Sequence, residues 1–314
     1  MKRLRLPASP EHRAGAIILF VMAVYVGVDS IVLAIADYAS LWQIMATRSG
    51  FGIILLLLLA RWQNYRLRPK RLLPAVLRTV FLAAAMMLYF GSIPFQPIAV
   101  IGAGLFTSPV FVLIFSAVLF GQRIGWRRIL AVCLGAAGTW YIMEVGEAAF
   151  SLKNAIPVLA GALYAMSSLA TRHWCAEEPP LALALLSMMV MGGVASLVAS
   201  GFWLFGVPVG LVQLDSYIFS GWRWIPSLAI GLILIQGIGS TLAIALHVRA
   251  YQMAETSFVA VYEYIFIIYA LLVGWLFWGQ SVNPAQLAGI GLILAAGLVI
   301  TVSAARHHDA DTAA

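Results

Sequence analysis

Apolar residues in this chain come in ten runs of about 20, separated by short polar or Pro/Gly-rich breaks. A helix of about 20 apolar residues, rising about 1.5 Å per residue, crosses the hydrocarbon layer of a bilayer. The runs lie near residues 14–36, 40–60, 73–93, 97–119, 127–146, 152–172, 181–205, 224–248, 257–278 and 285–304. The breaks carry turn chemistry, as in "RLRPKR", "IPFQP", "GQRIGW", "CAEEPP", "VPVG" and "GQSVNP". Strands of a membrane barrel would alternate apolar and polar residues, and runs such as "GIILLLLLA" do not. Only 10% of residues are charged and 63% are apolar, against roughly 25% charged in a soluble domain. The expected fold is therefore an all-α membrane protein with ten transmembrane helices, its surroundings the lipid bilayer, and no room for a soluble domain.

The first run follows "MKRLRLPASPEHR". It is longer than the roughly 7–15-residue core of a secretory signal and contains Asp29, so it reads as a retained helix. Basic residues gather in alternate breaks: Lys2, Arg3, Arg5 and Arg13, then Arg61 through Arg78, then Arg123, Arg127 and Arg128, with Arg172, Arg249 and Arg306 on the same side. The positive-inside rule then puts both termini in the cytoplasm and the protein in the inner (cytoplasmic) cell membrane. The net charge of +7 reports this topology, and no nucleic-acid partner is expected. Cys133 and Cys175 form neither a disulfide framework nor a metal spacing. No metal, cofactor or phosphate-binding loop is expected, so ATP does not power the chain.

One turn is written twice. "FGQRIGWRRILAVCLGAAG" and "WGQSVNPAQLAGIGLILAAG" each place Gly-Gln at the end of a run and Ala-Ala-Gly in the next. Gln122 and Gln280 are 158 residues apart, about half the chain. The first turn closes the fourth run and the second closes the ninth, so each half holds five helices. An odd repeat inverts its neighbour, which explains why only the first turn carries arginines. The expected division is residues 1–148, an inverted second repeat at 149–306, and a short cytoplasmic tail at 307–314. Inverted repeats mark secondary transporters, whose sites lie near the bilayer midplane.

The chain resembles the EamA-like group of the drug/metabolite transporter superfamily, over both halves. In the first half the resemblance rests on "FTSPVFVLIFSAVLFGQRIGWRRILAVCLGAAG", with Pro109, the turn after it and the Gly-rich helix that follows. In the second it rests on "VRAYQMAETSFVAVYEYIFIIYALLVGWLFWGQ", with Arg249, Ala250, Tyr251, Glu263, Tyr264, Gly274 and Trp275. "VDS" and "RSGFGIILL" add to it. The family usually has Glu where this chain has Gln122 and Gln280, and a related subgroup often has Lys where this chain has Leu33. The resemblance implies transport of a small organic solute.

Ionisable residues at membrane depth are functional candidates by default. Asp29 and Arg48 flank a turn near Tyr38 at similar distances, roughly 14 and 15 Å along their helices at 1.5 Å per residue. An ion pair is expected, serving either structure or coupling. Arg249 and Glu263 flank the turn near Glu255 in the same way and are expected to meet. Glu263, between two tyrosines, either carries a proton in coupled exchange or fixes Arg249. Glu144 and His247 are expected at helix ends, in headgroup water. The resemblance implies a cavity lined by the first, third, fourth, sixth, eighth and ninth helices. Its candidates are Tyr25, Asp29, Tyr89, Thr107, Ser108, Tyr164, Ser168, Gln236, Ser240, Tyr262, Glu263 and Tyr269. Each has a duller alternative, in a hydroxyl bonding a carbonyl one turn back or a tyrosine anchored at the interface. Small residues four apart, Gly104/Ser108, Gly135/Thr139 and Gly291/Ala295, are expected in interhelical seams. Pro109 either loosens its helix for gating or bends it.

The expected function is secondary active transport, as exporter or exchanger, of a small organic metabolite such as an amino acid or a nucleotide-, flavin- or S-adenosylmethionine-like solute. Alternating access around a central cavity would move it, with protons or a counter-transported solute as further partners and the oligomeric state, monomer or dimer, left open. The rivals are a membrane enzyme and a channel. His173, Cys175 and Glu177 form the nearest approach to a catalytic cluster, in a short loop without a second set of ligands.

Overall fold

The computed structural model describes residues 10–65, 67–92, 98–122, 124–143, 155–278 and 284–312. Among them are thirteen helices and no strand. They are α1 (Pro10–Ile35), α2 (Leu41–Gln63), α3 (Leu72–Gly91), α4 (Ile98–Leu105), α5 (Ser108–Phe120), α6 (Trp126–Met143), α7 (Ala155–His173), α8 (Pro180–Phe205), α9 (Val209–Leu214), α10 (Ser227–Met253), α11 (Thr256–Glu263), α12 (Ile265–Trp278) and α13 (Pro284–Thr312). Six stretches of the described residues are long and apolar enough to cross a membrane, the last being Thr256–Phe277, which spans α11 and most of α12. The chain is a multi-pass, all-helical membrane protein. The turn at Gln280, the "IPFQP" turn, Arg66, Arg123, Glu144, Lys153 and the basic residues before Pro10 lie outside the described residues.

Local chemistry sets the helix ends. The Ser40 hydroxyl accepts from the Gln43 amide at 3.2 Å and caps α2. Asn64 (φ 51°) and Gly121 (φ 60°) end α2 and α5 in the left-handed region. Pro180 and Pro284 open their helices, where a missing N–H costs nothing.

Two of the ten expected helices are interrupted. The fourth divides at Phe106–Thr107. Pro109 lacks an N–H, and its ring opposes the carbonyl four residues back, that of Leu105, where α4 stops. Both the Thr107 amide (3.1 Å) and its hydroxyl (2.6 Å) donate to the Gly104 carbonyl. The ninth divides at Tyr264, with no proline. There the Tyr264 ring enters a notch in α6, such that a Cβ on Gly135 would lie 2.2 Å from it. Its hydroxyl reaches the Val132 carbonyl at 3.4 Å.

The helices pack as α6 with α13, α1 with α10, α2 with α8, α3 with α7, α4 and α5 with α7, α11 and α12 with α1, and α5 with α11. Lipid tails are as apolar as leucine, so close contact between backbones holds such a bundle rather than burial from water. Gly104 and Gly161 bring α4 and α7 together: a Cβ on Gly104 would lie 2.2 Å from Pro157, and one on Gly161 2.6 Å from the Gly104 carbonyl. On α13 the expected seam is displaced. Gly291 faces open space, and the contact is made where Gly138 of α6 meets the Gly289 carbonyl and Ile293.

Polar contacts tie loops to helices at each end. The Glu178 carboxylate accepts from the Lys70 (2.5 Å) and Arg71 (2.8 Å) amides and so caps α3 from the α7–α8 connection. The Gln252 amide donates to the carbonyls of Cys175 and Glu178, at 2.7 and 2.8 Å. Arg128 pairs with Glu255 across the same end. At the other end the segment 215–223 lies on the start of α2, where the Trp42 indole donates to the Ile218 carbonyl at 2.8 Å and Gln43 exchanges hydrogen bonds with the Arg223 backbone.

Two outcomes follow. Gly104→Ala should lower stability by about 1–3 kcal/mol, the usual cost of overpacking, while Gly291→Ala should not; thermal unfolding of the purified variants checks both. Burial pushes the Cys175 thiol up to about 11, with Arg78 partly offsetting it. Because the thiolate is the nucleophile, Cys175 should resist a polar maleimide at pH 7, as mass spectrometry of the treated protein would report.

Candidate functional site

An interior cavity lies where α1, α2, α3, α7, α8 and α10 surround the two helix breaks. The space free for solvent is about 80 Å³, below the roughly 300–1,000 Å³ of ordinary ligand pockets, so a metabolite would enter only with movement of the walls. Tyr25 and Asp29 face it from one side of α1, four residues apart. Arg48 comes from α2, Tyr89 and Phe90 from α3, Tyr164 from α7, Ser240 from α10, and Phe106 and Glu263 from the two breaks. Methionine, leucine and phenylalanine side chains form most of the remaining wall. A smaller space of about 20 Å³ adjoins it, shares Tyr25 and Tyr164, and is lined also by Arg78, Ser168, His247 and Tyr251.

Glu263 is the most densely hydrogen-bonded group. Its carboxylate accepts from the hydroxyls of Tyr251 (2.8 Å) and Tyr164 (3.0 Å), and His247 Nε2 lies 3.2 Å away. It is 1% exposed, so these partners replace water. The expected Arg249–Glu263 pair is not formed; His247 takes that place. Two residues along a helix turn the side chain by about 200°, so His247 faces the interior with Tyr251, four residues on, while Arg249 faces outward. The His247 and Tyr251 rings stack at 4.9 Å, and His247, expected in headgroup water, is 7% exposed.

Arg48 is held where glycines bring three helices together. A Cβ on Gly237 of α10 would lie 2.8 Å from the Arg48 carbonyl, and one on Gly192 of α8 2.6 Å from the Ser49 Cβ. The guanidinium lies over the Phe90 ring, 5.2 Å from its centre. Asp29 and Arg48 share the cavity and feel one another's charge, but they do not form the expected ion pair. Among the described residues, a carboxylate lies within ion-pair distance of a basic side chain at Lys70–Glu177, Arg128–Glu255 and His247–Glu263. Asp29 instead faces the Tyr89 hydroxyl.

Of the remaining sequence candidates, Ser168 lines the smaller space. Thr107 bonds its own helix. Ser108 and Gln236 are buried, their side-chain polar atoms unpartnered, outside the cavity lining. Tyr262 and Tyr269 pack against the apolar cluster of α1, α11 and α12. Sequence reasoning missed His247, Tyr251 as a ligand of Glu263, and Arg78, which was assigned to a cytoplasmic break. Arg78 is buried in α3 and donates to Thr171 (2.9 Å) and Ser187 (2.8 Å). The four-residue spacing of His247 and Tyr251 was the available signal. At the Gly-Gln turn, the Gln122 amide lies 3.2 Å from His173 Nε2, a contact between neutral groups where a glutamate would make a charged one.

This arrangement, a helical membrane bundle with charged groups gathered in an interior cavity at two broken helices, is that of a solute carrier. The sequence profile described as the EamA-like transporter family matches residues 13–143 and 154–302, and the chain belongs to that family. It is 28% identical to the pseudopaline exporter CntI of Pseudomonas aeruginosa, over 82% of this chain and 85% of that one. It is 26% identical to a riboflavin transporter of Rhizobium johnstonii, over 71% and 68%, and 24% identical to the threonine/homoserine exporter RhtA of Escherichia coli, over 91% and 90%. A solved structure titled only as a protein crystal structure shares the fold, with a TM-score of 0.73 and 15% identity over 93% of this chain and 96% of that one.

Replacing His247 by Leu removes a polar partner from a buried carboxylate and should destabilise the protein by about 1–3 kcal/mol. Arg249→Gln, on the outer face, should change stability by no more than about 0.5 kcal/mol. Thermal unfolding in detergent compares the two; equal losses would restore Arg249 as the partner of Glu263.

Proposed function

We propose that the protein is a secondary active transporter, exporting or exchanging a small organic solute by alternating access, and that it is built from two inverted five-helix repeats. The repeats are residues 1–148 and 149–306, with 307–314 a short tail, both termini cytoplasmic, in the inner membrane. The observation that carries this reading is the interior cavity, walled by both halves and bordered by both helix breaks. Three others support the repeat. The family profile matches one segment in each half. The breaks at Thr107 and Tyr264 are 157 residues apart, close to the spacing of the Gly-Gln turns. Exchanging each helix for its counterpart maps the packing pairs onto one another: α1 with α10 onto α7 with α3, and α4 and α5 with α7 onto α11 and α12 with α1.

Discontinuous helices at the midplane let parts of a bundle rock against each other while exposing polar backbone only to a cavity. Relatives named as exporters of pseudopaline and of threonine and homoserine support export of a polar metabolite, and those named for riboflavin support tolerance of a larger one. Substrate contacts are assigned to Tyr25, Asp29, Arg48, Tyr89, Tyr164 and Ser240. Proton coupling is assigned to Glu263, a carboxyl group that lies between the cavity and His247, 3.2 Å from the imidazole.

Counterflow in proteoliposomes tests the carrier. Labelled solute should accumulate when unlabelled solute fills the lumen, and flux that ignores the far side would indicate a channel. Glu263→Gln should keep counterflow yet lose accumulation driven by a pH gradient; loss of both would make Glu263 a structural or substrate group.

A further inference from the structure

We propose that Arg48 is the receptor for a carboxylate on the transported solute, and that the solute's body is apolar. The inference rests on the transport reading above and names what its cavity takes.

A guanidinium keeps its charge at any ordinary pH. Placed in an interior, it needs an anion or a full set of acceptors. Arg48 is 3% exposed and lines the cavity, yet its Nε has no hydrogen-bond partner, and no carboxylate pairs with it among the described residues. Arg78 is the internal contrast, because its Nε and one terminal nitrogen are satisfied by Thr171 and Ser187. Arg48 is also fixed in place. Its backbone is pressed by Gly237, and its guanidinium lies over the Phe90 ring, which directs it into the bundle and away from the headgroups. What remains is a planar guanidinium in the cavity wall with an unpartnered donor, a group whose geometry matches a carboxylate.

The rest of the lining narrows the class. Asp29 and Glu263 border the same cavity and would repel a second negative charge at close range. A singly charged planar carboxylate therefore fits better than a dianionic phosphate. Met86, Phe90, Phe106, Met191 and Phe266 supply an apolar wall with few polar atoms, suited to an aliphatic or aromatic body.

The test uses the full-length protein in lipid nanodiscs. The probes are L-leucine, L-methionine, L-phenylalanine and 3-phenylpropionate, each against its primary amide, with binding read by thermal stabilisation. At least one acid should bind, and its amide should bind about tenfold more weakly or worse, the scale of a charge-assisted pair. Arg48→Gln should abolish the difference between acid and amide, and Arg48→Lys should retain part of it. Equal binding of acid and amide to the natural protein, a difference that survives in Arg48→Gln, or no binding by any acid would overturn the proposal. The comparison on the natural protein stands even where a variant fails to fold. Counterflow with the acid that binds separates the two readings. Binding that discriminates without counterflow would reject transport and keep the receptor. Counterflow that carries amide as fast as acid would reject the receptor and keep transport.

Discussion

Hydrocarbon cannot solvate a charge or an unpaired backbone group, and nearly every distinctive feature of this bundle answers that constraint. Glu263 is accommodated by two phenols and an imidazole drawn from α7 and α10. Arg78 is accommodated by hydroxyls of α7 and α8. The backbone freed at the α4–α5 break is met by the Thr107 hydroxyl. Because Glu263 and Arg78 take their partners from other helices, these polar groups also fix how those helices are arranged. Arg48 departs from the pattern, and it does so inside the cavity, where a solute can complete it.

Helix approach is governed by small residues. At Gly104, Gly135, Gly138, Gly161 and Gly237 a methyl group would collide with a neighbouring helix. These contacts run along the seams between α4 and α7, α6 and α13, and α2 and α10, and one of them receives the Tyr264 ring at the second break. The breaks and the seams are thus one device. Tyr264 fills the space that Gly135 leaves, and Gly161 lets α7 approach the interrupted stretch beside Pro109.

Much of this was legible in the sequence. Tyr25, Asp29, Arg48, Tyr89, Tyr164, Ser240 and Glu263 were named from their residue types at membrane depth or on helices the resemblance assigned to the cavity, and all line it. Where the reading failed, it failed on direction. Arg249 and His247 lie two residues apart, and both suit a charged partner for Glu263, but helical rotation turns one outward and the other in. Asp29 and Arg48 were matched in depth and both line the cavity, yet depth says nothing about the angle between helices, and Arg48 lies over Phe90 while Asp29 faces Tyr89.

The sequence by itself determined that the chain is a helical membrane protein, that Pro109 perturbs the helix around it, and which family it resembles. Those properties depend on composition and on neighbours within a few residues. Only the tertiary structure decided which acids and bases meet, that Arg78 is interior, that α11 ends at Glu263, and that Arg48 is left open to the cavity. Those depend on the rotation and crossing of helices set by contacts between residues far apart in the chain.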